Sequence, residues 1–407
     1  METCSKERLE DKIKTFSQFG ATGNGGITRL SLSPAALEAR AEFCRRCKAL
    51  GMDIVTDDLA NIYATKPGSE NLPRIAMGSH MDSVIRGGNY DGILGVLTAL
   101  EVVETLIRDK IPTRHPITAV VWTNEEGARF PPALMCSGIV AGKFSKETMF
   151  AVTDTQGTTL GEALKASGYQ GDAANRLNAK DYMAKLELHI EQGPVLEDAK
   201  KTIGVVEGVV GMVNYSIRTK GQANHAGTTP MPKRQDALYA ASQLICELYI
   251  KLCALAPDLV FTFGHIECHP NVHTVIPSDV SFSLDARHRD PAVIRKVVEV
   301  IKALPKEVVK CQVNYQENWA RDTVPFKPEF VDFVEKNAKA FGYSWQRIYS
   351  GPGHDAQYVQ SMIPTTMIFV PSIDGKSHCE EEMTPLDDCW KGCNVLLQTL
   401  LDIDRNY

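Results

Sequence analysis

Apolar and polar positions along the chain fall into two textures. From about residue 52 to 208, short apolar runs that read as buried strands alternate with longer segments that read as helices. Strands are predicted at 74–79, 117–123 and 184–190 and a helix at 92–107, after an amphipathic helix at 34–50. Such alternation argues for a layered α/β sheet whose chemistry emerges at strand ends. Near residue 209 the pattern becomes strict alternation, at 213–219 and 280–287, as in half-buried antiparallel strands. Helices expected near 236–255 and 291–304 would complete a compact α+β insert. The first texture then resumes with a helix at 328–341, a strand at 365–370 and a helix at 387–401. The expected division is therefore one α/β domain in two parts, 1–208 and 322–407, around an inserted α+β domain at 209–321.

Composition changes this picture little. A net charge of -6 gives no electrostatic case for nucleic acid or an anionic membrane surface. No apolar run approaches the roughly 20 residues that span a bilayer, and the first residues lack the pattern of a secretion signal. Eleven cysteines, an odd number without a disulfide-like framework, point to a reducing cytoplasm. Cys44 and Cys47 have redox-motif spacing but fall inside the predicted helix 34–50, where chance is the better reading.

The candidate chemistry collects at strand ends. The strand at 74–79 delivers His80 and Asp82, and Asp91 opens the helix that follows. Glu125 and Glu126 follow the next strand, His189 ends another, and His378 lies far downstream in SHCEEE. Histidine and carboxylate without cysteine suit a catalytic zinc or another borderline divalent ion. Each residue alone has a plainer use: a hydrogen-bonded structural histidine, a solvated glutamate pair, or Asp91 as a helix N-cap. Two adjacent glutamates in a turn can divide the work, one binding a metal and the other handling a proton. Which does which is open from the residues alone. Asp82, two residues beyond His80, is placed to accept the other ring N–H of that histidine.

SHMDS, GGNYDGILGV, TNEEGARF, ELHIEQGPVLE, NHAGTTPM, SGPGHDA and SHCEEE recur in that order along nearly the whole chain. The set resembles the di-zinc amidohydrolases related to aminoacylase and carboxypeptidase G. More narrowly, it resembles their hydantoinase/carbamoylase branch, with N-carbamoyl-L-amino-acid hydrolase, β-ureidopropionase and allantoate amidohydrolase. The resemblance implies a metallo-exopeptidase-like αβα catalytic domain, with the insert serving as lid and dimerisation domain. It implies two divalent ions, zinc or else manganese, cobalt or nickel, on His80, Asp91, Glu126, His189 and His378, with Asp91 bridging. Glu125 would be the general base and acid, Asp82 would orient His80, and His225 would stabilise an oxyanion. Arg287 would hold the substrate carboxylate, bidentately as lysine cannot. Gln192 and His354 would make further polar substrate contacts.

One departure concerns the substrate. Where similar enzymes carry Asn in the segment 271–277, this chain has Thr274, with a shorter hydroxyl and no amide. Asn271 or His273 could compensate, and Met212 occupies a variable pocket position whose plainer use is packing. The expected activity is hydrolysis of an N-carbamoyl-L-amino acid by a cytoplasmic homodimer, without nucleic-acid or membrane partners. Allantoate or β-ureidopropionate is the nearer alternative, and an N-acyl amino acid or dipeptide the more distant one.

Overall fold

The computed structural model describes residues 1–407 and separates into two compact units, 1–208 with 325–407, and 209–324. The first is built on a nine-stranded sheet. Its centre is parallel: Arg74–His80 lies between Ile117–Trp122 and Tyr182–Ile190, and Tyr182–Ile190 also pairs with Thr365–Val370. Antiparallel strands flank this centre, with Ile62–Lys66 on Ile117–Trp122 and Ile203–Val209 on Thr365–Val370. Ile117–Trp122 and Thr365–Val370 are buried throughout, as parallel strands covered on both faces must be.

Helices cover this sheet as the αβα expectation requires. Ile93–Arg108 and Leu386–Asn406 approach closely through glycines: a side chain at Gly95 would strike Ser79, and one at Gly392 would strike Leu188 and Val370. Elsewhere Val359, of the short helix Asp355–Val359, joins Ala76, Val120, Trp122 and Tyr182 in an apolar cluster. The predicted helix 387–401 is longer in the structure, Leu386–Asn406. Cys44 and Cys47 lie in the helix Pro34–Ala49 as expected, with no disulfide. No helix is long and apolar enough to cross a membrane.

The second unit is a six-stranded antiparallel sheet whose central strands are Cys311–Arg321, Gly211–Lys220 and Asp279–His288. Burial alternates residue by residue along Asp279–His288. The inward set, Val280, Phe282 and Leu284, packs with Val213, Tyr215 and Ile217 against Leu244 and Leu248 of Ala237–Cys253 and Val297 and Ile301 of Pro291–Lys302. Both helices start on aspartate caps, Asp236 and Asp290, whose side chains accept main-chain N–H groups of the first turn.

Candidate metal centre

The strand Arg74–His80 ends on His80 itself. The ring Nδ1 of His80 lies 2.9 Å from the main-chain oxygen of Asp82, and Nδ1 of His189 lies 2.9 Å from that of Ile190. A carbonyl only accepts, so each contact places a proton on Nδ1, and in the neutral imidazole the Nε2 lone pair is left for a metal. Both lone pairs face Asp91: Nε2 of His80 is 3.7 Å and Nε2 of His189 3.3 Å from Oδ1. On the other oxygen, His378 Nε2 lies 3.1 Å from Asp91 Oδ2 and 3.4 Å from Glu126 Oε2. One carboxylate thus faces two groups of donors, His80 with His189 and Glu126 with His378, each compact enough to hold an ion.

Asp91 is not the N-cap of the helix that follows. Gly92 takes that position with φ +66°, and no side chain caps the helix, so the Asp91 carboxylate is left for the centre. Its main-chain N–H is accepted by Glu382 Oε1 at 3.1 Å, and Gln192 Nε2 donates to Asp91 Oδ2 at 2.8 Å. Gly92 packs so closely that a Cβ there would lie 2.2 Å from the His80 ring.

The expected function of the Asp82 carboxylate is corrected. His80 is held by the Asp82 main-chain oxygen, while the carboxylate accepts the main-chain N–H groups of Glu125 at 3.3 Å and Glu126 at 3.2 Å. The physical reason is the turn: at Asn124 the backbone takes φ +57°, and the Glu125 and Glu126 N–H groups come within reach of Asp82. Glu125 Oε2 then sits 3.6 Å from His80 Nε2.

The electrostatics of the cluster suit a cation. Burial, then the charges of Asp355 and Glu126, raise the Glu125 carboxyl well above its ordinary range. Burial and Asp91 do the same for Glu126. Burial also opposes charge on Asp91, yet hydrogen bonds from His189 and His378 hold it well below the ordinary carboxylate value. Glu126 Oε1 is buried without a hydrogen-bond partner, which an oxygen facing a metal ion would not need. The donor set and this orphaned oxygen fit divalent metal.

Gln192 and His354, expected to touch substrate, are engaged here by the centre. Gln192 donates to Asp91, and His354 is 2% exposed with its ring edge-on to His189 at 4.5 Å. Glu382 is a buried member that the sequence reading passed over. Its signal was the length of the acidic run in SHCEEE, whose third glutamate reaches Asp91 while Ser377 donates to it at 2.8 Å.

The remaining predicted residues belong to the second unit. His225 pairs with Val275 in an isolated bridge, so the Thr274 main-chain oxygen accepts the Ala226 N–H at 2.9 Å. His225 and Thr274 therefore lie on adjacent strand-like segments. Asn271, like both of these, is exposed, and its φ is +56°. Arg287 lies on Asp279–His288 with Nε donating to Asp285 Oδ1 at 2.7 Å, and Met212 is buried opposite it in the sheet.

Comparison with known proteins agrees with this geometry. The model of peptidase family M20/M25/M40 matches residues 76–402. The chain is 35% identical to an N-carbamoyl-L-amino-acid amidohydrolase of Paenarthrobacter aurescens, over all of both chains. It is 33% identical to the allantoate amidohydrolase of Escherichia coli K12, over 99% of each. A hydantoinase/carbamoylase family amidase from Burkholderia multivorans superposes with a TM-score of 0.92 at 38% identity, over 98% of each chain. The chain belongs to peptidase family M20/M25/M40, within its hydantoinase/carbamoylase branch. It is an enzyme of a hydrolytic, metal-dependent family.

Proposed function

We propose that the chain hydrolyses the carbamoyl C–N bond of an N-carbamoyl-L-amino acid, releasing the amino acid, carbon dioxide and ammonia. The observation that carries this reading is the shared Asp91 carboxylate, with His80 and His189 on one oxygen and His378 and Glu126 beside the other. These five residues would hold two divalent ions. Zinc suits the donors best, and manganese, cobalt or nickel accept the same set. When bound, such ions supply Lewis acidity and lower the pKa of water.

The chain's own groups supply the proton chemistry. Glu125, buried beside His80, takes the proton of the attacking water and returns it to the leaving amine nitrogen. The carbamate so released falls to carbon dioxide and ammonia. Asp82 steadies Glu125 and Glu126 through their main-chain N–H groups. His225 donates to the developing oxyanion, and Arg287 binds the substrate carboxylate. Gln192, His354, Asn271 and Thr274 border the substrate. Segment 209–321 acts as lid and dimerisation domain of a cytoplasmic homodimer, for which the exposed side chains Tyr249 and Ile250 offer apolar surface.

The test is Glu125→Ala with metal content measured in parallel. The expected result is a fall in kcat of about 10²–10⁴-fold with metal retained. Ammonia release at the unaltered rate would overturn the assignment. Likeness to the E. coli allantoate amidohydrolase favours allantoate as the second reading. Kinetics on both substrates decide: a kcat/KM for allantoate about a hundredfold higher, or about 2.7 kcal/mol, would replace the first reading with the second.

A further inference from the structure

Alternate residues of a strand share a face, so Tyr182–Ile190 points Lys185, Glu187 and His189 the same way. All three are buried, Lys185 completely. Lysine and glutamate are almost never fully buried unless paired, and these two pair with each other. Ser79 adds a hydroxyl donor to Glu187 Oε1 at 2.6 Å. Glu187, His189 and His354 also bring one potential ligand atom each within 4.8 Å of one another. A carboxylate and two imidazoles are themselves a donor set for a divalent ion. This second cluster shares His189 with the Asp91 centre, and an ion settling there would compete for that imidazole.

We propose that Lys185 is the resident cation of this cluster. Its ammonium neutralises Glu187 from within the chain and takes no lone pair from either histidine. Glu187 then has no charge left to draw in a divalent ion, and His189 stays committed to the Asp91 centre. Lys185 is thus a positioning residue, and its role rests on the reading that His189 binds metal beside Asp91.

The test strips the full-length enzyme of metal and titrates it with zinc. In excess zinc, Lys185→Met is expected to hold an ion beside Glu187, seen by anomalous scattering, where the unaltered protein holds none, and to be inhibited by about tenfold. Lys185→Met combined with Glu187→Gln is expected to lose the extra ion and the inhibition. A purely structural role for the pair predicts lowered stability in the single variant and no ion beside Glu187, and that result overturns the proposal. Removing one partner of a buried pair is strongly destabilising, so crystals of the unaltered enzyme in excess zinc give a second measurement. Anomalous scattering at Asp91 and none beside Glu187 is the expected result. An ion beside Glu187 with Lys185 in place overturns the proposal and leaves the reading of the Asp91 centre standing. No ion at Asp91 sinks that reading instead.

Discussion

Asp82 reaches forward to Glu125, accepting its main-chain N–H at 3.3 Å while the Asp82 main-chain oxygen holds His80. One residue thereby ties a proposed metal ligand to the proposed base, through two different groups. Asp82→Ala keeps the oxygen that orients His80 and removes the acceptor under Glu125 and Glu126. The expected result is a fall of about 10–100-fold in kcat, the range for losing an orienting partner at a metal site, with a smaller loss for Asp82→Asn, which keeps one acceptor. Equal kcat for Asp82→Ala and the unaltered enzyme would show that the Glu125 turn needs no such support.

Gly92 is required for two reasons that act together. Its φ of +66° disfavours any side chain, and an added Cβ would meet the His80 ring at 2.2 Å. Its N–H also faces His189 Nε2 at 3.2 Å. Gly92→Ala should push His80 away from Asp91 and weaken metal binding by about tenfold or more. Competition with a chelator measures this, and unchanged affinity in a folded variant would count against His80 as a ligand.

Much of this was legible in the sequence, and the reasons are physical. The apolar runs at 74–79, 117–123 and 365–370 are buried on both faces, so hydrophobicity alone marks them. The alternation at 280–287 reports a sheet with one covered face. The strand Cys311–Arg321 was not legible because Tyr315 to Ala320 are exposed, leaving no burial pattern to read. Main-chain pairing with Gly211–Lys220 places it instead. At the centre, residue type and order suggested the donors. Which atom of Asp82 serves His80 depends on turn geometry, which side-chain identity does not encode.

Arg287 is expected to act on binding rather than on chemistry. Asp285 fixes its Nε at 2.7 Å and so orients the planar guanidinium. Arg287→Lys keeps the charge and loses the fork, so KM should rise by about 10–100-fold, the equivalent of a lost charge-assisted hydrogen bond. A kcat that stays within about twofold would mark the loss as uniform binding. A fall in kcat with unchanged KM would place Arg287 in the chemical step instead.

Metal removal should steepen the fall of stability with rising pH. In the metal-free protein, burial raises the carboxyls of Glu125, Glu126 and Glu382, and burial pushes Asp355 up to about 8. His189 is raised despite its burial, by Asp91, and His378 is raised chiefly by its hydrogen bond to Asp91. Each raised group makes the folded state bind more protons than the unfolded chain, so stability falls as pH rises, by about 1.4 kcal/mol per pH unit for each extra proton. Asp91, held well below 3.8, stays ionised at neutral pH and adds no slope there. His354 opposes the trend only below its ordinary value of 6.5, because burial depresses its folded pKa. Between pH 6.5 and about 8 the metal-free melting temperature should therefore climb on acidification. Bound metal displaces the protons of its proposed ligands Glu126, His189 and His378, so the loaded protein should lose less stability than the metal-free one as pH rises through the same window. Thermal melts with chelator and with saturating zinc check both slopes. A metal-free melting temperature that rises with pH would contradict the proton-holding character of the carboxylate cluster around Asp91.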